Sequence, residues 1–315
     1  ARYFQRQHVT SERVPSGWRI RTAWSQNGAY YVDPRLSAGL SDWSTYMPVG
    51  GIPLAVRQDR GFMLALNDCW SLLSWSCKLA LWQKQGRLPS RINVVHLDSH
   101  TDLNSPRLTY SDGAWLDLLT GKPCDVLDPR SVASAIQSGA IGIGSFIAPL
   151  IAGNIPVDLF HLAPTRHLRH APDSYGMRLE LRKGDPLFAS AERPHIRIDH
   201  NSSPSRYLTT DDVNQMLPEI DPRYPTFLHI DMDYFNNRFD GRPDWEAVRD
   251  RHDPALDDTL KNIDRFFEHW IGKGISVSDV SVGISPGFFP AEYWKESIEQ
   301  TRAWIQRMET DDEPS

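Results

Sequence analysis

The sequence predicts an α/β fold, a three-layer α/β/α arrangement around a mostly parallel central sheet. Two observations predict it. Short apolar runs alternate with segments of helical spacing, the pattern of a sheet with helices on both faces. Acidic residues also stand just after apolar runs, at Asp68, Asp98 and Asp231. In such sheets ligands gather beyond the C-terminal strand ends.

The elements follow in order. Residues 1–50 are rich in aromatics and turn formers, and read as an irregular or short-strand segment packed on the domain. Residues 61–66 form a short apolar run, read as a buried strand. Asn67 and Asp68 then read as a helix N-cap. A helix is expected over 69–85, with Leu72, Leu73, Trp75, Leu79 and Trp82 near helical spacing, ended by Gly86 and Pro89. Residues 92–97 are the next strand, with Asp98 at its C-terminal end. The segment 131–151 reads as helical and 157–160 as extended. Strands around 177–182 and 194–199 suggest a hairpin-like insertion. Residues 227–230 form a strand that delivers Asp231. An amphipathic helix over 255–271 is ended by Gly272 and Gly274. A strand over 277–284 precedes a final helix over 290–308, with Pro290 near its first turn. No repeat or low-complexity linker divides the chain, so residues 1–315 read as a single domain.

Composition narrows the function. The 315 residues are 40% hydrophobic and 23% charged, an ordinary globular balance. The net charge of −6 comes without a basic block, which argues against a nucleic-acid partner. A mildly acidic surface suits a cationic substrate. Cys69, Cys77 and Cys124 form no C-x-x-C pair and read as reduced thiols. With no signal-peptide pattern and no apolar run of membrane-spanning length, the expectation is a cytoplasmic protein without a membrane partner. A homo-oligomer is compatible with these totals. Eleven tryptophans suggest either packing or an amphipathic surface that grips a polymer or peptide.

The chemistry concentrates in two clusters. In Asp98-Ser99-His100-Thr101-Asp102, carboxylate, imidazole and carboxylate recur at every second residue. In a segment leaving a strand, alternate side chains point the same way and converge. Oxygen donors with one nitrogen suit Mn²⁺, Fe²⁺ or Zn²⁺. Taken alone, this segment is equally a solvated polar loop. Asp231 and Asp233 form the second cluster, after an apolar strand. A buried pair of that kind is costly unless it is paired or binds a cation. Its competing reading is a helix cap or a salt bridge to Arg238 or Arg242. Together the two clusters favour a pair of divalent ions, which lower the pKa of a shared water and favour hydrolysis.

The segment from Asp98 to Pro106 (Asp98-Ser99-His100-Thr101-Asp102-Leu103-Asn104-Ser105-Pro106) resembles the D-A-H-x-D segment of the arginase (ureohydrolase) superfamily. Asp231-Met232-Asp233 is similar to that family's second D-x-D. The resemblance implies an arginase-like three-layer fold carrying two Mn²⁺, with Asp98 and Asp231 as bridges. It implies His100, Asp102 and Asp233 as terminal ligands. A closer resemblance rests on 230–235, on 145–149 and on Ser285-Pro286-Gly287-Phe288. It points to an arginase-like branch that includes peptide arginases, which convert arginine side chains of ribosomally made precursor peptides to ornithine and release urea. The implied partner is such a precursor peptide.

The chain departs from the family pattern in three places. A further His ligand of the family falls where Asn67-Asp68-Cys69 stand here, so Asp68, or else Cys69, takes its place; a plain helix cap is the competing reading for Asp68. No acid stands near Gly283, where a late-strand Glu holds the guanidinium in arginases, leaving Glu292 or Asp279 as substitutes. A proton-shuttling His of the free-arginine enzymes falls near Trp115, which makes His200 the candidate shuttle. Asn104 matches a position that orients substrate, against an Asx turn as the bland alternative. Other readings stay open: a hydrolase of arginine or agmatine, a deacetylase-type amide hydrolase on the same fold, or a catalytically silent binding protein.

Overall fold

The computed structural model describes residues 8–14, 17–23, 31–44, 47–153, 155–164, 173–183, 188 and 191–311. The first strands are β1 (His8–Val14), β2 (Gly17–Ala23), β3 (Val56–Asp59), β4 (Phe62–Ala65) and β5 (Ile92–Leu97). They are followed by β6 (Leu108–Ser111), β7 (Ala114–Asp117), β8 (Val157–Leu162), β9 (Asp173–Arg182) and β10 (Arg193–Asp199). The last are β11 (Ser205–Thr210), β12 (Thr226–Asp231) and β13 (Asp279–Gly283). The helices are α1 (Leu36–Trp43), α2 (Ser71–Lys84), α3 (Pro129–Ser138), α4 (Ile147–Ile151), α5 (Val213–Met216), α6 (Leu256–Lys273) and α7 (Trp294–Asp311).

Nine strands make the main sheet, in the order β10-β9-β11-β8-β5-β12-β13-β4-β3. From β11 to β4 every neighbour is parallel. Antiparallel strands close both edges, β9 and β10 at one and β3 at the other. Every residue of β5, β8 and β12 is buried. That is expected of parallel strands covered on both faces. Side chains alternate between two cores. Val95, Leu97, Leu228 and Ile230 join the residues of α6 and α7, while Val94 and Phe227 join those of α2 and α3. Trp75, Trp270 and Trp294 are fully buried, so these three tryptophans pack the cores.

The expected elements are present, with several differences. The segment 131–151 is two helices, because α3 ends on Gly139 with φ 82°, and Gly144, also left-handed at φ 74°, turns the chain before α4. The hairpin of β9 and β10 is an extension of the main sheet. Strand β11 and helix α1 lie where no element, or only irregular structure, was expected. Helix α6 continues through Gly272 and stops at Gly274, which adopts φ 63° as its C-cap. Neither Asn67 nor Asp68 caps a helix through its side chain. Among the described residues, no helix is long and apolar enough to cross a membrane.

This topology places the two ends of each strand in different surroundings. Asp279 opens β13, so it lies at the N-terminal edge of the sheet, roughly 13 Å along the strand from Gly283. It accepts a hydrogen bond from Ser74 Oγ at 3.0 Å. Its Oδ2 is shut off from solvent with no hydrogen-bond partner. Burial pushes its pKa up to about 6 against the Ser74 hydrogen bond and the Lys78 charge. Above about pH 4 the unfolded chain ionises this group while the folded chain still holds the proton. Stability is therefore lost as pH rises from about 4 to about 6, and stays lower beyond. Asp279→Asn, which keeps the acceptor but not the charge, should stabilise the protein at pH 7 by about 1–3 kcal/mol. Denaturant unfolding at pH 7 and near pH 4 should show the gain at the higher pH only. A gain of equal size at both would refute the burial argument.

Candidate metal centre

Three strand ends, those of β5, β12 and β4, supply the carboxylates. Asp98 follows β5 directly, and Asp231 is the last residue of β12. These strands are neighbours, with Leu97 level with Ile230. Asp233 comes from the single 3-10 turn after β12, and Asp68 from a similar turn after β4. Between β12 and β4 lies β13, which ends at Gly283, level with both Asp231 and Ala65. A Cβ on Gly283 would stand 2.8 Å from Asp68 Cβ and 3.0 Å from its Cα. Asp68 thus occupies the space that any side chain at 283 would need. This is the physical reason that no acid stands there.

Side chains and backbone amides tie the clusters together. His100 N donates to Asp98 Oδ1 at 2.6 Å, and Asp233 N donates to Asp231 Oδ1 at 3.0 Å. Ser99 donates twice across the strands, from N to Asp233 Oδ1 and from Oγ to the Asp233 carbonyl, each at 3.0 Å. Ser285 Oγ donates to Asp231 Oδ2 at 2.6 Å. His100 Nδ1 lies 3.0 Å from Asp233 Oδ2 and 3.3 Å from Asp98 Oδ1.

Two adjoining groups of ligand atoms, Asp98–His100–Asp233 and Asp68–Asp98–Asp102, share Asp98, and a third, His96–Asp98–His229, lies beneath them; Asp231 belongs to none of the three. Within each group the ligand atoms lie within 4.8 Å of one another. Asp68 Oδ1, Asp98 Oδ2 and Asp102 Oδ2 are buried with no hydrogen-bond partner, and Asp233 Oδ2 meets only His100 Nδ1. Buried oxygens without donors are costly, and a cation is the partner that satisfies several at once. The donor set is rich in oxygen with one imidazole nitrogen, which suits a divalent ion. These buried groups can therefore hold a metal ion.

Titration behaviour follows from the crowding. Burial, then repulsion from the neighbouring carboxylates, pushes Asp68 and Asp98 well above the usual range. Asp231 rises well above it through burial and repulsion from Asp233, against the Ser285 hydrogen bond. Asp102 is raised by burial, against relief from Asp68 and His100. Burial pushes Asp233 upward too, but the His100 charge and the Ser99 amide outweigh it and hold Asp233 low. His100 rises well above an ordinary imidazole, because Asp233, Asp240 and Asp98 overcome the effect of burial. A bound cation replaces protons in such a cluster.

Beneath the carboxylates lies a row of histidines. His161, His96 and His229 stand level on the adjacent strands β8, β5 and β12. His96 Nε2 meets the His100 carbonyl at 3.1 Å, and His161 Nε2 meets the Asp98 carbonyl at 3.0 Å. Carbonyls only accept, so both Nε2 atoms carry hydrogen. Burial keeps His96 neutral, so its Nδ1 accepts from His229 Nδ1 at 2.8 Å. His161 Nδ1 meets the Tyr207 hydroxyl at 2.8 Å. Two of these rings therefore hold the backbone of the 98–102 loop. The signal for two of them lay in the sequence, since His96 and His229 each stand two residues before a cluster aspartate. His161 has no such companion.

The other expected site residues fall at varied distances. Cys69 belongs to neither ligand group, and burial beside Asp68 pushes its thiol well up, which disfavours the thiolate a metal needs. Asn104 is exposed at the rim; its N donates to the Gly144 carbonyl at 2.9 Å. Glu292 is engaged by the guanidinium of Arg238, which also binds Asp253. Asp279 is at the opposite edge of the sheet. Trp115, in β7, stacks edge-on with Tyr110. His200 is an exposed residue after β10, against Tyr175, and β10 is four strands from β5, roughly 19 Å away. The structure does not bring His200 to the carboxylates. A separate surface cleft of about 240 Å³, which includes Trp43, Arg57 and Trp294, contains none of the cluster residues.

No protein-family model matches the chain, and no curated protein matches it.

Gly283→Ala should push Asp68 out of the cluster. We expect a destabilisation of about 1–3 kcal/mol in denaturant unfolding. Weaker binding of divalent ions should accompany it in a calorimetric titration. Unchanged metal binding would show that Asp68 is not a ligand.

Proposed function

We propose that this chain is a dimanganese hydrolase that converts arginine side chains of a precursor peptide to ornithine with release of urea. One observation carries the reading: two groups of buried, partly orphaned ligand atoms meet at Asp98. The resemblance of both carboxylate segments to the arginase superfamily supplies the reaction class. Asp68, Asp98, His100, Asp102, Asp231 and Asp233 are the residues that would hold the ions. When bound, two divalent ions acidify a shared water and polarise the carbon it attacks.

The chain's own residues do the rest. The cluster's negative charge draws a cationic guanidinium toward the rim. The sheet excludes water from below, where β5, β8 and β12 are buried throughout. Water adds to the guanidino carbon, the bond to the side-chain nitrogen breaks, and that nitrogen leaves with a proton as the ornithine amine. Asn104 sits at the rim, where it can orient the substrate backbone. Glu292 is assigned to substrate only if Arg238 releases it, and His200 stands outside this scheme.

Metal analysis of the purified protein should find about two Mn per chain. An arginine-containing precursor peptide should lose roughly 42 Da per converted residue, one CH₂N₂ unit exchanged out of each guanidino group. Urea from free arginine or agmatine, with no mass change on any peptide, would move the assignment to a small-molecule hydrolase. A protein that binds Mn²⁺ yet acts on none of these would be a silent binding protein.

Asp98→Ala and Asp231→Ala should each lower turnover by more than about 100-fold, beyond what the loss of an outer partner causes. Circular dichroism of the variants separates this from unfolding. Full activity in both folded variants would overturn the site assignment.

A further inference from the structure

His100 has two ring nitrogens, and only one faces the buried cluster. Its Nδ1 points at Asp98 and Asp233, while Nε2 lies 3.6 Å from Asp240 Oδ1. A ligating nitrogen must be free of its proton, so the proton of the neutral ring moves to the other nitrogen. That N–H needs an acceptor, and in metal sites a carboxylate commonly supplies it.

Asp240 is held for this position. Its backbone adopts φ 50°, a left-handed conformation that a side-chain-bearing residue enters at a cost. Fully buried Asn237 holds it twice. Asn237 Nδ2 donates to Asp240 Oδ1 at 3.1 Å, and Asp240 N donates to Asn237 Oδ1 at 3.0 Å. Asn237 is itself fixed through its N–H to the His252 carbonyl at 2.8 Å. The next residue, Gly241, donates from N to the Gly287 carbonyl at 2.9 Å. That contact binds the turn to the loop carrying Phe288, whose ring meets the His100 ring edge-on at 5.2 Å between centroids. His100 is thus bounded by Phe288 and Asp240, with its metal-facing nitrogen turned inward.

We propose that Asp240 is the positioning residue for His100: by accepting from Nε2 it holds Nδ1 ready to ligate a divalent ion. The proposal rests on the reading of His100 as a metal ligand.

The test uses the full-length, metal-stripped protein titrated with Mn²⁺, with binding followed by electron paramagnetic resonance. Asp240→Gly removes the acceptor and suits the left-handed backbone. Asp240→Asn keeps a weaker acceptor and also tolerates that backbone. Asp240→Gly should weaken one of the two Mn²⁺ sites by roughly 10–100-fold, with Asp240→Asn in between. Circular dichroism of the metal-free variants checks that each is folded, since Asp240→Gly also removes the acceptor of buried Asn237 Nδ2. His100→Ala should lose the same site, and adding Asp240→Gly to it should cost nothing further. A residue that only shapes the turn predicts unchanged Mn²⁺ affinity in both Asp240 variants, and that result would overturn the proposal. If His100→Ala weakens a site and Asp240→Gly does not, only the positioning role falls. If the parent protein binds no Mn²⁺, the metal reading falls and this role with it.

Discussion

Repulsion among buried carboxylates at the C-terminal edge of the sheet is the constraint on which the rest of the site depends. Asp68, Asp98, Asp102, Asp231 and Asp233 converge there, each almost wholly removed from solvent. In a low-dielectric setting such a group cannot hold its full charge without a compensating cation. The protein supplies some compensation through the Ser99, His100 and Ser285 hydrogen bonds. That still leaves oxygens of Asp68, Asp98 and Asp102 unsatisfied. A fold selected only for stability would replace such residues with apolar ones. Their presence requires something the apolar residues cannot do.

The sheet answers this constraint by rigidity. Strands β5 and β12 carry the two clusters at matched register, so the distance between Asp98 and Asp231 is set by backbone pairing. The histidine row then fixes the loop after β5 through its carbonyls. Strain gathers in the same place. The described non-glycine residues with left-handed φ are Asp102, Asp112, Asp240 and Ser285. Asp102 is a cluster carboxylate, Ser285 binds Asp231, and Asp240 faces His100. Only Asp112 lies elsewhere, in the β6–β7 turn. At roughly 1–2 kcal/mol each, such conformations persist where surrounding contacts dictate them.

The central strands were legible because they are continuous apolar runs, and the aspartates because each stands at the end of one. Alternation in 98–102 left a solvated loop equally open, and it was the second cluster at Asp231 and Asp233 that favoured convergence. Other features depend on contacts between distant segments and leave no local trace. Gly283 reads locally as the end of a strand, and only the packing shows that it makes room for Asp68. Helix α1 and strand β11 are short, with Leu36, Leu40 and Leu208 buried by partners far away in sequence. His200 was singled out as a substitute for the histidine that Trp115 displaces, whereas the sheet order sends it four strands from β5. His161 reaches the Asp98 carbonyl because β8 is in register with β5. Local chemistry exposed the ligands, and sheet register determined which residues support them.

Exposure is graded across the site, and the gradient sets the direction of approach. The side chains of Asp98 and Asp233 are each 1% exposed and that of Asp102 is 3% exposed, whereas His100 is 39% and Asp240 40% exposed. Anything arriving from solvent therefore meets His100 and Asp240 before it meets Asp98. The Asp68–Asp98–Asp102 group lies behind them, enclosed by β4, β13 and the Gly144 turn. The two ligand groups are thus inequivalent although they share a carboxylate. An ion in the inner group would be shielded from exchange, while one in the outer group would keep open positions toward solvent. Open positions are what chemistry at a metal requires, so under the proposed function the outer group, with His100 at its rim, is where a substrate would be reached.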